Sequence, residues 1–282
     1  MKQFDVKTES GYEVPLTLYE SILGRGWASV LILPALGISG EFYEAVAQDL
    51  AERGMDAVIM EQRGYGRSAI RPSRASNYGF REYLEDDIPA VLDWINENLK
   101  GEPVLMGHSL GGHLATLYAS LNPLQVNKLI LVATGSPWHA LYEKKMAGRI
   151  RALTRIIPVV TAIGGRYNGK RIGFGGMEGS QLMRDWRKLA KHNTYRAKGM
   201  EVVFDPLIKA WRGNVLSVRY AQDQMAPQRP VEALNDMFWS AQVRRELLTE
   251  ANIGKPADHF NWAREPLATV NAITTWLHPE IE

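Results

Sequence analysis

Gly107-His108-Ser109-Leu110-Gly111-Gly112 stands between an apolar run, Pro103-Val104-Leu105-Met106, and leucines at positions 110, 114, 117 and 121. The run before it reads as a short buried strand, and the leucines after it repeat at helical spacing. Strand, Gly-x-Ser-x-Gly, helix is the context in which a serine is forced into a strained turn. The small neighbours keep that turn free of side-chain clashes. Ser109 Oγ then projects from the edge of a sheet, where a base can reach it. The N–H of Leu110 opens a helix, where unpaired donors and the positive end of the dipole favour a developing oxyanion.

Outward from this point the chain alternates strands with helices. Strands are expected at Phe4–Thr8 and Val14–Glu20, joined by a turn at Ser10-Gly11, then, after a turn at Gly24-Arg25-Gly26, at Ala28–Leu33 and Asp56–Met60. Further strands are expected at Lys128–Ala133, Asn214–Tyr220 and Val243–Leu248. Helices are expected at Glu41–Arg53, Phe80–Leu99, Pro230–Ser240 and Glu265–Leu277. Pro89 interrupts the second of these, which predicts a kink or a fresh start capped by Asp86 or Asp87. Between Pro137 and Asp205 the rhythm stops. This insert carries 14 Lys and Arg against 5 Asp and Glu, a net of +9, and is rich in glycine. It reads as a helical cap with mobile segments, lying over the sheet edge. Such alternation implies a mostly parallel sheet covered on both faces, with ligands bound beyond the carboxyl ends of its strands.

Bulk properties are those of an ordinary soluble protein. The 282 residues are 45% hydrophobic and 23% charged, with a formal net charge of +2 that argues neither for nor against an acidic partner. The chain shows no signal-peptide pattern and no apolar run long enough to span a bilayer, so a cytoplasmic location is expected. Cysteine is absent, which excludes disulfides, thiol nucleophiles and cysteine metal sites. No nucleic-acid partner is expected, and the oligomeric state cannot be read.

A serine hydroxyl needs an adjacent base, itself oriented by a third group. Six histidines compete for that place. His108 flanks the serine and should point elsewhere. His113 lies on the following helix, and the pair has a spacing that suits no helical zinc motif. His139 and His192 belong to the insert, and His278 lies near the end of the chain. His259, in Gly254-Lys255-Pro256-Ala257-Asp258-His259-Phe260, follows the last strand, where a base must be to reach Ser109. The acid should follow a strand between serine and histidine. Asp223, after the Asn214–Tyr220 strand, meets this requirement and would fix the histidine tautomer. Its alternative reading is an Asx turn before Pro227. The second oxyanion donor is expected to be the N–H of Leu36, in the loop after the Ala28–Leu33 strand.

The order Ser109, Asp223, His259 resembles the α/β-hydrolase superfamily, as does the loop Arg63-Gly64-Tyr65-Gly66-Arg67-Ser68. The insert and the atypical first loop make the chain similar to hydrolases related to the serine aminopeptidase group. The resemblance implies an α/β-hydrolase fold: a mostly parallel eight-stranded sheet with helices on both faces. Residues 1–136 and 206–282 would form the core and residues 137–205 an inserted cap. It further implies a Ser-His-Asp triad, no cofactor and a small-molecule acyl substrate. The expected activity is cleavage of an ester, thioester or related acyl bond through an acyl-enzyme. The alternatives are a non-catalytic binding protein or an acyltransferase on the same scaffold. Departures are Pro34-Ala35, where relatives usually have His-Gly, Glu61 where aspartate is common, and Asp258 where glycine often precedes the histidine.

Three other signals carry less. Gly164-Gly165-Arg166-Tyr167-Asn168-Gly169-Lys170 matches a phosphate loop up to Arg171, which replaces the magnesium-binding Ser or Thr. The basic surplus of the insert could attract acidic substrates or a membrane face, and reads more simply as a solvated surface. Trp138, Trp186, Trp211 and Tyr142 are candidates to line an acyl pocket or simply to pack.

Overall fold

Eight strands make one sheet: β1 (Lys2–Lys7), β2 (Glu13–Tyr19), β3 (Ala28–Leu33), β4 (Asp56–Met60), β5 (Glu102–His108), β6 (Lys128–Val132), β9 (Asn214–Tyr220) and β10 (Gln242–Leu248). A separate antiparallel pair, β7 (Arg166–Asn168) and β8 (Met177–Gly179), lies within the insert. The computed structural model describes residues 1–24 and 26–278; Arg25, expected in a turn, and residues 279–282 lie outside the described residues. The order across the sheet is β1-β2-β4-β3-β5-β6-β9-β10. The first two strands are antiparallel to their neighbours, and all later neighbours are parallel. This is the mostly parallel eight-stranded sheet that the sequence predicts.

The central strands are buried on both faces, which explains their unbroken apolar runs: every residue of β3 and β4 is buried. Alternate residues feed two cores. Leu31, Leu33, Leu105, Leu129 and Leu131 join one. Val30, Ile32, Val104, Met106, Ile130 and Val132 join the other. Helix α1 (Glu44–Glu52) and a C-terminal helix serve the second core. Helices α2 (Ile88–Asn98) and α3 (Leu110–Leu121) serve the first. The outer strand β10 carries exposed Arg244 and Arg245, charges that discourage edge-to-edge pairing.

The region of Pro89 corrects one expectation. A π-helical turn at Tyr83–Asp87 runs into α2, and Pro89 is the second residue of α2. Asp86 and Asp87 cap nothing. They grip Arg63 instead: Nη2 lies 2.7 Å from Asp86 Oδ2, and Nε lies 2.8 Å from Asp87 Oδ2. The guanidinium also covers the Tyr12 ring at 4.5 Å. Burial pushes the Asp87 carboxyl up to about 6 against the pull of Arg63. Removing either partner would strand a buried charge, at a cost of roughly 3–5 kcal/mol.

The insert between β6 and β9 is built on α4 (Lys144–Gly164) and α5 (Ser180–His192). Pro158 lies inside α4 and removes the N–H that would reach the carbonyl of Thr154. Arg187 of α5 takes that carbonyl with Nε at 2.5 Å, so the helix continues past the proline. The phosphate-loop signal dissolves here: Arg166–Asn168 is strand, and Gly169–Ile172 is a single helical turn. Among the described residues no helix is long and apolar enough to cross a membrane.

Candidate active site

Strand β5 ends at His108 and α3 begins at Leu110, so Ser109 alone makes the turn. Its φ is 52° and ψ −110°, a conformation that costs an L-residue on the order of 1–3 kcal/mol. The surroundings hold it there. Ser109 N–H donates to Val132 O at 3.0 Å, and Ser109 O accepts from Gly112 N at 3.1 Å and His113 N at 3.3 Å. The glycines are required by close approach. A Cβ on Gly111 would lie 2.0 Å from Leu33 O, and one on Gly112 would lie 2.1 Å from Thr134 Oγ1. The N–H of Leu110 is at the first position of a 12-residue helix, where no intrahelical acceptor exists.

Asp223 follows β9 and is buried. Its two oxygens divide the work. Oδ1 accepts from Met225 N at 2.7 Å and Ala226 N at 2.9 Å, which is the Asx turn of the alternative reading. Oδ2 lies 2.7 Å from His259 Nδ1, which is the other reading. Both hold at once. With the carboxylate accepting from Nδ1–H, Nε2 of His259 is left with a free lone pair, as a general base requires. The backbone that carries the imidazole is held as well: Trp262 Nε1 donates to His259 O at 3.0 Å, and the Trp262 ring stacks on Tyr220 at 11°.

Ser109 and His259 line one cavity of about 840 Å³, together with Leu36 and Leu110. Asp223 stands behind His259, off the cavity wall. Among the described residues no acceptor lies within hydrogen-bond reach of the Leu36 N–H. The adjacent Ala35 is clamped on both sides: its N–H donates to Tyr43 Oη at 2.8 Å, and its carbonyl accepts from Gln62 Nε2 at 2.7 Å. Tyr43 Oη also meets His108 Nδ1 at 2.8 Å. Thus the loop with Pro34-Ala35 is held by Tyr43 and Gln62. Nothing in the sequence marks either residue beyond position, Gln62 lying just past the end of β4.

His108 is fully buried with its ring 4.8 Å from that of His259. Burial first, and the neighbouring His259 second, hold it well below the ordinary histidine range, so it is neutral. His113, one turn into α3, reaches the cavity wall and its Nδ1 meets Tyr195 Oη at 2.6 Å. Burial brings its pKa down to about 4. His139 Nδ1 lies 3.3 Å from Ala190 O, within the insert, and His278 packs edge-on to Trp27.

Most of the cavity wall is apolar: Ile150, Leu153, Phe174, Trp186 and Met225 contribute, with Tyr142. Of the four aromatic candidates, Trp186 and Tyr142 line it. Trp138 and Trp211 do not. Trp211 is buried elsewhere, its indole N–H satisfied by Val126 O at 3.2 Å. The β7–β8 hairpin closes over the Leu36 loop so tightly that a Cβ on Gly37 would lie 2.7 Å from Gly176 N. The Tyr65 hydroxyl donates to Glu178 of the same hairpin. Among the described residues no cluster of three metal-ligating side chains occurs.

A mostly parallel eight-stranded sheet, with serine, aspartate and histidine delivered after β5, β9 and β10, defines the α/β-hydrolase fold. Residues 26–194 match the serine aminopeptidase S33 family, and the chain belongs to that family. It is 29% identical over 134 residues to the AB hydrolase superfamily protein YisY of Bacillus subtilis, covering 47% of this chain and 45% of that one. It is 36% identical over 107 residues to the mouse (lyso)-N-acylphosphatidylethanolamine lipase, covering 37% and 29% respectively. The chain thus spans less than half the length of these curated relatives. Among solved structures, Est1E from Butyrivibrio proteoclasticus with bound ferulic acid superposes with a TM-score of 0.67 at 14% identity, over 99% of both chains.

Proposed function

We propose that the protein is a serine hydrolase that cleaves an ester, thioester or related acyl bond through an acyl-enzyme on Ser109. The observation that carries this reading is the His259–Asp223 pair at 2.7 Å, with His259 on the same cavity wall as the strained Ser109. In this mechanism His259 Nε2 takes the Ser109 proton as Oγ attacks the substrate carbonyl. Asp223 stabilises the imidazolium that forms. The N–H groups of Leu36 and Leu110 receive the oxyanion. The imidazolium then protonates the leaving group, and a water deprotonated by His259 releases the acid.

The apolar wall suits an acyl chain. Residues 137–205 act as a cap that supplies much of that wall and shields the acyl-enzyme from bulk water. The similarity to a lipase of N-acylated phospholipids supports an acyl substrate. No cofactor is needed for these steps. In purified protein Ser109→Ala should lower kcat on a short-chain nitrophenyl ester by about three orders of magnitude or more, with an unchanged fold by circular dichroism. An undiminished rate in that variant defeats the assignment.

A further inference from the structure

Helix α4 has a face that the other described residues leave uncovered. Its inner side, with Ala147, Ile150, Thr154, Ile157 and Thr161, is buried. On the opposite side Ile156, Val159 and Ile163 stand 43%, 55% and 73% exposed. Spacings of three and four residues place them on one stripe, extended by exposed Ala152 and Ala162. Single exposed apolar residues are ordinary, whereas a stripe of them marks a contact surface.

The surroundings of the stripe are basic. Exposed Lys144, Lys145, Arg149, Arg151 and Arg155 occupy the N-terminal half of α4, and exposed Arg166, Lys170 and Arg171 follow its C-terminal end. The helix contains no carboxylate. Among the described residues, none of these eight cations forms an ion pair. Arg74 adds a further positive charge at the tip, where Nη2 donates to Ile163 O at 2.6 Å. An apolar tip ringed by unpaired cations complements one kind of surface: anionic headgroups above acyl chains. The stripe is also continuous with the cavity, because exposed Arg149, Ile156 and Lys170 belong to the cavity wall.

We propose that this face of α4 docks the protein onto an anionic lipid surface, with Val159 and Ile163 among the acyl chains and the cavity mouth turned to the membrane. The cations then sit at phosphate level. Docking does not involve Ser109, so it stands or falls separately from the hydrolase reading.

Sedimentation with phosphatidylcholine vesicles, with and without phosphatidylglycerol, tests it. The full chain should bind the anionic vesicles, bind pure phosphatidylcholine weakly, and be released by salt. Each lost cation should weaken partitioning about fivefold. Arg151→Glu with Arg155→Glu should therefore reduce it by well over tenfold, and so should Val159→Asp with Ile163→Asp. None of these four residues lines the cavity, so both double variants should keep the thermal midpoint and the rate on a water-soluble ester. Ser109→Ala should bind vesicles as the parent does. Absence of binding to anionic vesicles, or equal binding by the parent and both double variants, overturns the proposal. So does a concentration-dependent dimer that Val159→Asp with Ile163→Asp dissolves without any vesicle binding, since the stripe would then belong to a second copy.

Discussion

Asp223 carries two structural duties on two oxygens, and they can be separated. Oδ1 shapes the loop through Met225 and Ala226, while Oδ2 faces His259. Asp223→Asn can keep an oxygen toward the two loop N–H groups while presenting an amide NH₂ to Nδ1. The imidazole must then protonate on Nε2, and the base is lost. We expect kcat to fall by about 10⁴ with little change in thermal midpoint. Asp223→Ala should lose the loop contacts as well, lowering the midpoint in addition to kcat. Paired kcat and melting measurements check this, and wild-type kcat in Asp223→Asn would contradict it.

At the scale of elements, features governed by local sterics were legible in the sequence. The Gly107–Gly112 turn could be read because each glycine answers a backbone or side chain within a strand–helix unit. The strands β3 to β6 could be read because burial on both faces leaves an apolar run. Asp223 and His259 followed from strand order, since loops at one sheet edge converge whatever their separation along the chain. What stayed hidden depends on partners distant in sequence. Asp86 and Asp87 resembled caps because their partner, Arg63, lies over 20 residues away. Pro158 stands inside α4, and Arg187, which takes the freed carbonyl, belongs to another helix, so nothing local to the proline announces that partner. Tyr43 and Gln62 were invisible for the same reason: each grips Ala35, a residue whose importance is its backbone alone.

Across the whole molecule, the buried histidines tie stability to pH. His113 is held at about 4 in the folded protein, against an ordinary 6.5. The unfolded chain therefore binds a proton that the folded chain refuses between those values. The stabilisation is complete above pH 6.5 and is lost as pH falls toward 4, by about 3 kcal/mol for this residue. His108 acts in the same direction. Thermal melts should show a smaller loss between pH 7 and pH 4.5 in His113→Asn than in the parent; identical losses would contradict the assignment. The sheet as a whole brings Ser109 and His259, from loops after different strands, to one cavity, with Asp223 behind the histidine. The direct test is reaction with a fluorophosphonate, located by peptide mass spectrometry. One label per chain is expected, on Ser109, lost in Ser109→Ala and slowed by orders of magnitude in His259→Ala. A chain that stays unlabelled, or that carries its label on another residue, would contradict it.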